Sequence, residues 1–245
     1  MPGHCLLYYI TDRTAFAADE PTRRRSLLEK IAEAARAGVD YIQLREKDLS
    51  TRELESLARQ AVGAVRGARK RATDHWPPAT ALLINSRADV ALAVEADGVH
   101  LRTQDIGPRE VEGVWRKAHV GTAALGCPAP PSAASADSRI ELPPRTPLIG
   151  VSCHSPAKVK QAEANAASFA VFAPVFEKKD IPGAQAAGLA QLREACKANI
   201  PVLALGGVTL ENAKSCLAAG AAGIAGIRLF QENAIGQIVQ VLHNF

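Results

Sequence analysis

Short apolar runs alternate along the chain with longer segments in which apolar residues recur every three or four positions. The runs Cys5–Thr11, Tyr41–Arg45, Ala81–Asn85, Gly98–Leu101, Leu148–Ser152, Phe169–Val175, Pro201–Leu205 and Gly223–Ile227 read as strands. Several are apolar on both faces, as in Leu82-Leu83-Ile84 and Val202-Leu203-Ala204-Leu205. Strands buried on both sides belong to parallel sheets covered by helices. The intervening segments read as helices. Arg23–Ala37 carries Leu27, Leu28, Ile31, Ala34 and Ala35 on one face and stops at Gly38. Ser50 or Thr51 caps Arg52–Arg66, with Glu53 in the first turn. Ser155-Pro156 opens Ala157–Asn165. Thr209 caps Leu210–Ala219, Gly220 ends it, and Ala234–His243 closes the chain.

Eight strands and about eight helices in alternation, at about 30 residues per unit, predict a single-domain α/β fold over residues 1–245, a TIM (β/α)8 barrel. A doubly wound open sheet is the competing arrangement. No GxGxxG follows the first strand, so its dinucleotide-binding version lacks support. Gly126–Pro147 breaks the rhythm. Pro128, Pro130, Pro131, Pro143, Pro144 and Pro147 stand there among Ala and Ser, which excludes a regular helix or central strand. It reads as an irregular surface loop outside the barrel, a tolerated insertion in preference to a partner-binding arm. The basic stretch Arg66–Pro78, with Arg66, Arg69, Lys70 and Arg71, reads as a solvated helix C-terminus.

Composition narrows the function classes. Hydrophobic residues at 47% and charged residues at 22% are those of a folded globular chain. A net charge of +4, from 29 basic against 25 acidic residues, is too small to argue for nucleic acid. Aromatics at 4% leave little for base stacking. The longest apolar run, Leu217–Ile227, is mostly Ala and Gly and falls short of the roughly 20 residues that span a bilayer. Met1-Pro2-Gly3-His4 lacks the basic and apolar regions of a signal peptide. Cys5, Cys127, Cys153, Cys196 and Cys216 form no CxxC, so reduced thiols in a cytoplasmic protein are expected. The expected partner is a small molecule, with no nucleic acid and no membrane; a homo-oligomer is left open.

In a barrel the reactive residues lie at the C-terminal strand ends and in the loops after them. That rule selects Gln43 to Asp48, Asn85-Ser86-Arg87, the group His100, Arg102 and Asp105, Ser152-Cys153-His154, Glu177 to Asp180, Gly206-Gly207 and Arg228. This rim is cationic: Arg45, Lys47, Arg87, Arg102, Lys178, Lys179 and Arg228. Gly206-Gly207 precedes the helix capped by Thr209, the combination with which barrels hold phosphate. A phosphorylated small substrate fits this set. His154 suits proton transfer near neutral pH, with a packed or capping histidine as the competing reading. Cys153 should face the other side of the strand and be structural. His100, inside a strand, should pack, and Asp97-Gly98 should be a turn.

These motifs together resemble the thiamine phosphate synthase and TenI family of barrels. The match runs over almost the whole chain. It is carried by Tyr8-Tyr9-Ile10-Thr11-Asp12, Gln43-Leu44-Arg45-Glu46-Lys47, Asn85, Asp97 to Leu101, Gly150 to Ser155, Pro174-Val175-Phe176, Leu205 to Val208 and Ala219 to Ile224, in that order. The resemblance implies an enzyme of thiamine biosynthesis acting on a thiazole phosphate. It makes Gln43, Arg45, Lys47 and Asn85 contacts to a pyrimidine and its diphosphate, and Ser152 a diphosphate contact. It makes Gly206 and Gly207 the thiazole phosphate site, with Arg228 beside it, and Asp105 a ligand of Mg2+.

The chain departs from the synthase pattern at four places. Ser86 stands where a second Mg2+ aspartate is expected, Arg102 where a glycine is, Glu177-Lys178-Lys179-Asp180 where a Thr-rich loop ending in Lys is, and Arg228 where a serine is. Asn85-x-Arg87-x-Asp89, Ser152-x-His154-Ser155 and Val175-Phe176-Glu177 look closer to the TenI branch. The favoured expectation is therefore a thiazole tautomerase with His154 as acid/base group and no cofactor. The alternative is a thiamine phosphate synthase. It would join hydroxymethylpyrimidine diphosphate to thiazole phosphate with Mg2+ through Asp105, Lys178 and Lys179 helping to hold the diphosphate. A barrel that binds thiazole or thiamine phosphate without turnover is the third.

Overall fold

The computed structural model describes residues 4–69, 80–124, 146–177 and 186–245. Most of the Pro-rich segment 126–147, part of the basic stretch 66–78, and Lys178 and Lys179 lie outside the described residues. Eight parallel strands close into a barrel in sequence order: β1 (Leu6–Ile10), β2 (Tyr41–Leu44), β3 (Ala81–Asn85), β4 (Gly98–Leu101), β5 (Leu148–Cys153), β6 (Phe169–Phe172), β7 (Val202–Ala204) and β8 (Gly223–Gly226). β8 pairs with β1, Leu6 opposite Gly223, and this closure removes both sheet edges. The open-sheet alternative is thereby excluded.

The helices alternate with the strands: α1 (Glu20–Ala37), α2 (Thr51–Arg69), α3 (Ala88–Ala93), α4 (Pro108–Ala124), α5 (Pro156–Ala164), α6 (Gly188–Ala195), α7 (Leu210–Ala218), α8 (Arg228–Gln231) and α9 (Ile235–His243). α1 starts three residues before the expected Arg23. The Asp19 carboxylate accepts from the Thr22 N–H at 3.1 Å, and Pro21 sits in the first turn, where a missing N–H costs nothing. Gly38 ends it in the left-handed conformation, as its position predicts. β6 stops at Phe172 instead of Val175, since Pro174 has no N–H to give a strand ladder.

The core has two parts. One fills the space between barrel and helices, with Leu7, Ile42, Leu82, Val99, Cys153 and Ile224 pointing outward from their strands. The other fills the barrel: Tyr8, Leu83, Phe169, Val171, Leu203 and Ala225 are buried in it. Tyr41 stacks on Phe169 with ring centroids 4.8 Å apart and planes 4° from parallel, and Tyr8 meets Phe169 edge-on at 5.4 Å. Gly150 makes room for this layer: a Cβ there would come within 2.5 Å of the Phe169 ring and 2.8 Å of His100 Nδ1.

Candidate functional site

Alternation along each strand fixes which side chains lie above the aromatic layer, toward the C-terminal mouth. Tyr41 lies inside the barrel, so Gln43 does too; Leu83 brings Asn85, and Gly150 brings Ser152. His100 lies in register between Asn85 on β3 and Gly150 on β5. Four neighbouring strands thus contribute one polar side chain each to the floor of the mouth. Gln43 Nε2 donates to Asn85 Oδ1 at 2.8 Å. Gln43 Oε1 is buried and makes no hydrogen bond among the described residues. A buried acceptor left unpaired costs free energy, so this oxygen suits a donor brought by a ligand.

His100 is 2% exposed, as a packing residue should be, yet it is also a polar link. Its Nδ1 lies 3.1 Å from the Tyr8 hydroxyl and its Nε2 2.8 Å from Ser152 Oγ. Burial drives its pKa down to about 3, so the ring is neutral. Burial likewise holds Tyr8 well above the ordinary phenol value. A neutral imidazole donates from one ring nitrogen and accepts at the other, so Tyr8, His100 and Ser152 form one hydrogen-bonded chain. Composition and spacing do not reveal this relay, because its members lie on three strands.

The cations sit above this layer. Arg45 is half-buried, its N–H donates to Thr11 Oγ1 at 3.0 Å, and burial lowers its pKa. Lys47 is exposed. Their neighbours Glu46 and Asp48 are structural. Arg13, 4% exposed, donates to Glu46 Oε2 at 3.2 Å, to the two Asp48 oxygens at 2.7 and 2.8 Å, and to Glu20 Oε1 at 2.9 Å. Glu46 also accepts from Thr11 Oγ1 at 2.6 Å. This network pins the loop that carries Arg45 and Lys47. Sequence reasoning missed Arg13, which lies outside every motif.

Asp105 lies at the rim, but its carboxylate is engaged. The Arg102 N–H and guanidinium reach it at 2.7 and 3.1 Å. Burial raises its pKa, but the Arg102 backbone and side chain and the Ser86 hydroxyl outweigh that, and it ends below its ordinary value. The Ser86 hydroxyl itself is buried without a hydrogen bond of good geometry. A hard cation wants several oxygens, carboxylates first. One carboxylate already neutralised by a guanidinium, beside a neutral hydroxyl, does not fit a resident Mg2+. Arg87 is likewise paired, with Asp89, at 2.6 Å. A crevice of about 160 Å³ opens beside this loop, lined in part by Arg102, Asp105, Ser152 and Lys158.

His154, after β5, is exposed and not packed in the core. Its Nδ1 lies 2.7 Å from the Ala173 carbonyl, an acceptor, so Nδ1 carries the proton and Nε2 is the basic nitrogen. Gly206 and Gly207 have φ of 94° and 65°, where side chains are strained. The loop after β6 lies on them: a Cβ at Gly206 would come within 2.8 Å of Pro174, and one at Gly207 within 2.7 Å of the Glu177 carbonyl. Both glycines therefore have a packing reason of their own. Arg228 is exposed at the start of α8, after β8, while the two glycines follow the neighbouring β7. Cys153 faces the outer core, as its place beside Ser152 predicts. Asp97 is a strand clasp, its carboxylate accepting from the Leu82 N–H at 2.8 Å. No helix among the described residues is long and apolar enough to cross a membrane.

Comparison with known proteins bears on this arrangement. The chain matches the family model described as thiamine monophosphate synthase over residues 7–128 and 130–230. It is 38% identical over 227 residues to a protein of Aquifex aeolicus, covering 92% of this chain and 97% of that one. It is 35% identical over 231 residues to the thiamine-phosphate synthase of Clostridium novyi, covering 93% and 91%. Among solved structures, the thiamine phosphate pyrophosphorylase of Pyrococcus furiosus superposes with a TM-score of 0.69 at 25% identity, covering 98% of this chain and 94% of that one.

Proposed function

The chain belongs to the thiamine monophosphate synthase family of thiamine biosynthesis, and from that premise we propose that it is a thiamine-phosphate synthase. The reaction joins a hydroxymethylpyrimidine diphosphate to a thiazole phosphate. A C–N bond forms as the C–O bond to diphosphate breaks, and pyrophosphate leaves. This replaces the tautomerase as the leading reading, because the named relatives are synthases. The observation that carries it is the buried, unpaired Gln43 Oε1 in a layer with Asn85. An aminopyrimidine brings the N–H that this acceptor lacks.

Charge, and position where it is described, support the remaining roles. Arg45 and Lys47 face the leaving diphosphate, and Ser152, accepting from His100 in its Nε2–H tautomer, donates its hydroxyl proton to it. Preorganised donors where charge develops are usually the largest contribution to such a reaction. Gly206, Gly207 and Arg228 hold the thiazole phosphate; Arg228 suits a phosphate because its guanidinium binds two oxygens at once. Lys178 and Lys179 serve the same anions. The Arg102–Asp105 pair puts a guanidinium where a metal would otherwise neutralise diphosphate.

A tautomerase is the second reading, favoured by the fixed Nδ1–H of His154, which leaves Nε2 to move a proton on a bound thiazole. The test is an assay of the full chain with both substrate sets, with and without Mg2+. Thiamine phosphate and pyrophosphate in equal amounts support the synthase. Thiazole isomerisation alone, lost about 10²–10⁴-fold in His154→Asn, supports the second reading instead.

A further inference from the structure

At the opposite end of the barrel, away from the rim, three chain segments bring ligand-type side chains together. His4 precedes β1, Asp40 precedes β2, and His243 ends α9. One potential ligand atom from each lies within 4.8 Å of the other two. His4 Nε2 is 3.1 Å from Asp40 Oδ1, and the His4 and His243 rings are 4.4 Å apart at 52°. We propose that His4, Asp40 and His243 form a binding site for a divalent transition metal, Zn2+ by ligand type, that ties the start of β1 to the end of α9.

The chemistry has four supports. Two imidazoles and one carboxylate are a zinc donor set, with a fourth position left for water. Ligand atoms about 2.0–2.2 Å from Zn2+ stand about 3.4 Å apart in a tetrahedron. The His4–Asp40 pair already has nearly that spacing, and partly exposed His4 can close the rest by side-chain rotation. Asp40 is oriented as metal carboxylates are: its Oδ2 accepts from the Leu7 N–H at 2.7 Å, which leaves Oδ1 for the metal. Finally, His243 Nε2 is buried and has no hydrogen-bond partner among the described residues. Such a group is expected where a further partner belongs. The surrounding backbone is fixed by β1 and β2, so the ligands are largely held in place before the metal arrives.

The experiment is a titration of the metal-free full chain with ZnCl2 against a chromophoric chelator, with thermal unfolding in parallel. One equivalent should bind and raise the unfolding temperature, and a chelator should reverse both. His243→Ala and His4→Ala should each weaken binding by at least about 100-fold. His154→Ala should leave stoichiometry and affinity unchanged, since His154 lies at the other end. The His4 variant guards against misfolding, because this exposed side chain can be removed without opening the core. Turnover should be the same with and without Zn2+. No saturable Zn2+ binding, or binding that survives both His4→Ala and His243→Ala, overturns the site.

Discussion

Ser152 Oγ lies 2.8 Å from His100 Nε2, and that one contact ties the serine hydroxyl to the tautomer of the histidine. The imidazole is neutral; in the tautomer with the proton on Nε2 it accepts a hydrogen bond from Tyr8 at Nδ1 and donates to the serine oxygen. The serine's own proton then points to whatever anion fills the mouth. Ser152→Ala should therefore lower kcat/KM by about 10- to 100-fold, the worth of a hydrogen bond to a charged group, and cost about 1–3 kcal/mol of stability because His100 Nε2 loses its partner. Steady-state kinetics together with urea unfolding check this. An unchanged kcat/KM would remove Ser152 from the site.

The same histidine makes stability depend on pH. Its folded pKa is about 3 against 6.5 for a free imidazole. Between those values the unfolded chain takes up a proton that the folded chain refuses. Stability therefore falls as pH drops through that window, by up to about 1.4 kcal/mol per pH unit from this group. His100→Gln should be less stable at pH 7 and show a shallower loss between about pH 6 and 4. Parallel slopes for wild type and variant in urea melts would contradict the assignment.

Arg13 should matter more to folding than any rim cation. Arg13→Ala leaves Glu46, with 1% side-chain exposure, short of its charge partner. Breaking a buried pair from one side costs about 3–5 kcal/mol. Equilibrium unfolding should show a loss of that size, with activity falling too as the Arg45 loop loosens. A loss under about 1 kcal/mol would mean that the network is only a surface ion pair.

Metal dependence should track the guanidinium at Arg102. Calorimetric titration of the free wild-type protein with MgCl2 should show binding no tighter than on the order of 1 mM. Arg102→Ala removes the guanidinium and releases Asp105 Oδ1, while Oδ2 keeps the backbone N–H of residue 102. It should weaken diphosphate binding in metal-free buffer and make turnover respond more strongly to added Mg2+. Tight Mg2+ binding to the wild type would show that the ion displaces Arg102.

The barrel could be read from the chain because its signals are local. Doubly apolar runs such as Leu82-Leu83-Ile84 mark buried strands, and Ser155, Thr209 and Gly38 mark helix ends within a few residues. The Asp19–Pro21 start of α1 was also legible, by the same capping rule. The link from Tyr8 through His100 to Ser152 was not. Its members are 92 and 52 positions apart, and only closure of the barrel sets β1 across from β4 and β5. Arg13 was hidden for the same reason: a buried arginine and a solvated one look alike until the carboxylates about it are placed. Asp105 was found by position, yet its pairing with Arg102 depends on a turn that spacing does not specify.

The stacked Tyr41 and Phe169 rings, with Tyr8 against them, plug the barrel beneath the polar layer. The mouth is thus a blind well with one door. In the proposed synthase reaction two substrates and two products would share that passage, so the order in which they come and go would be constrained by traffic as well as by affinity. Pyrophosphate retained at the door would trap whatever lies below it.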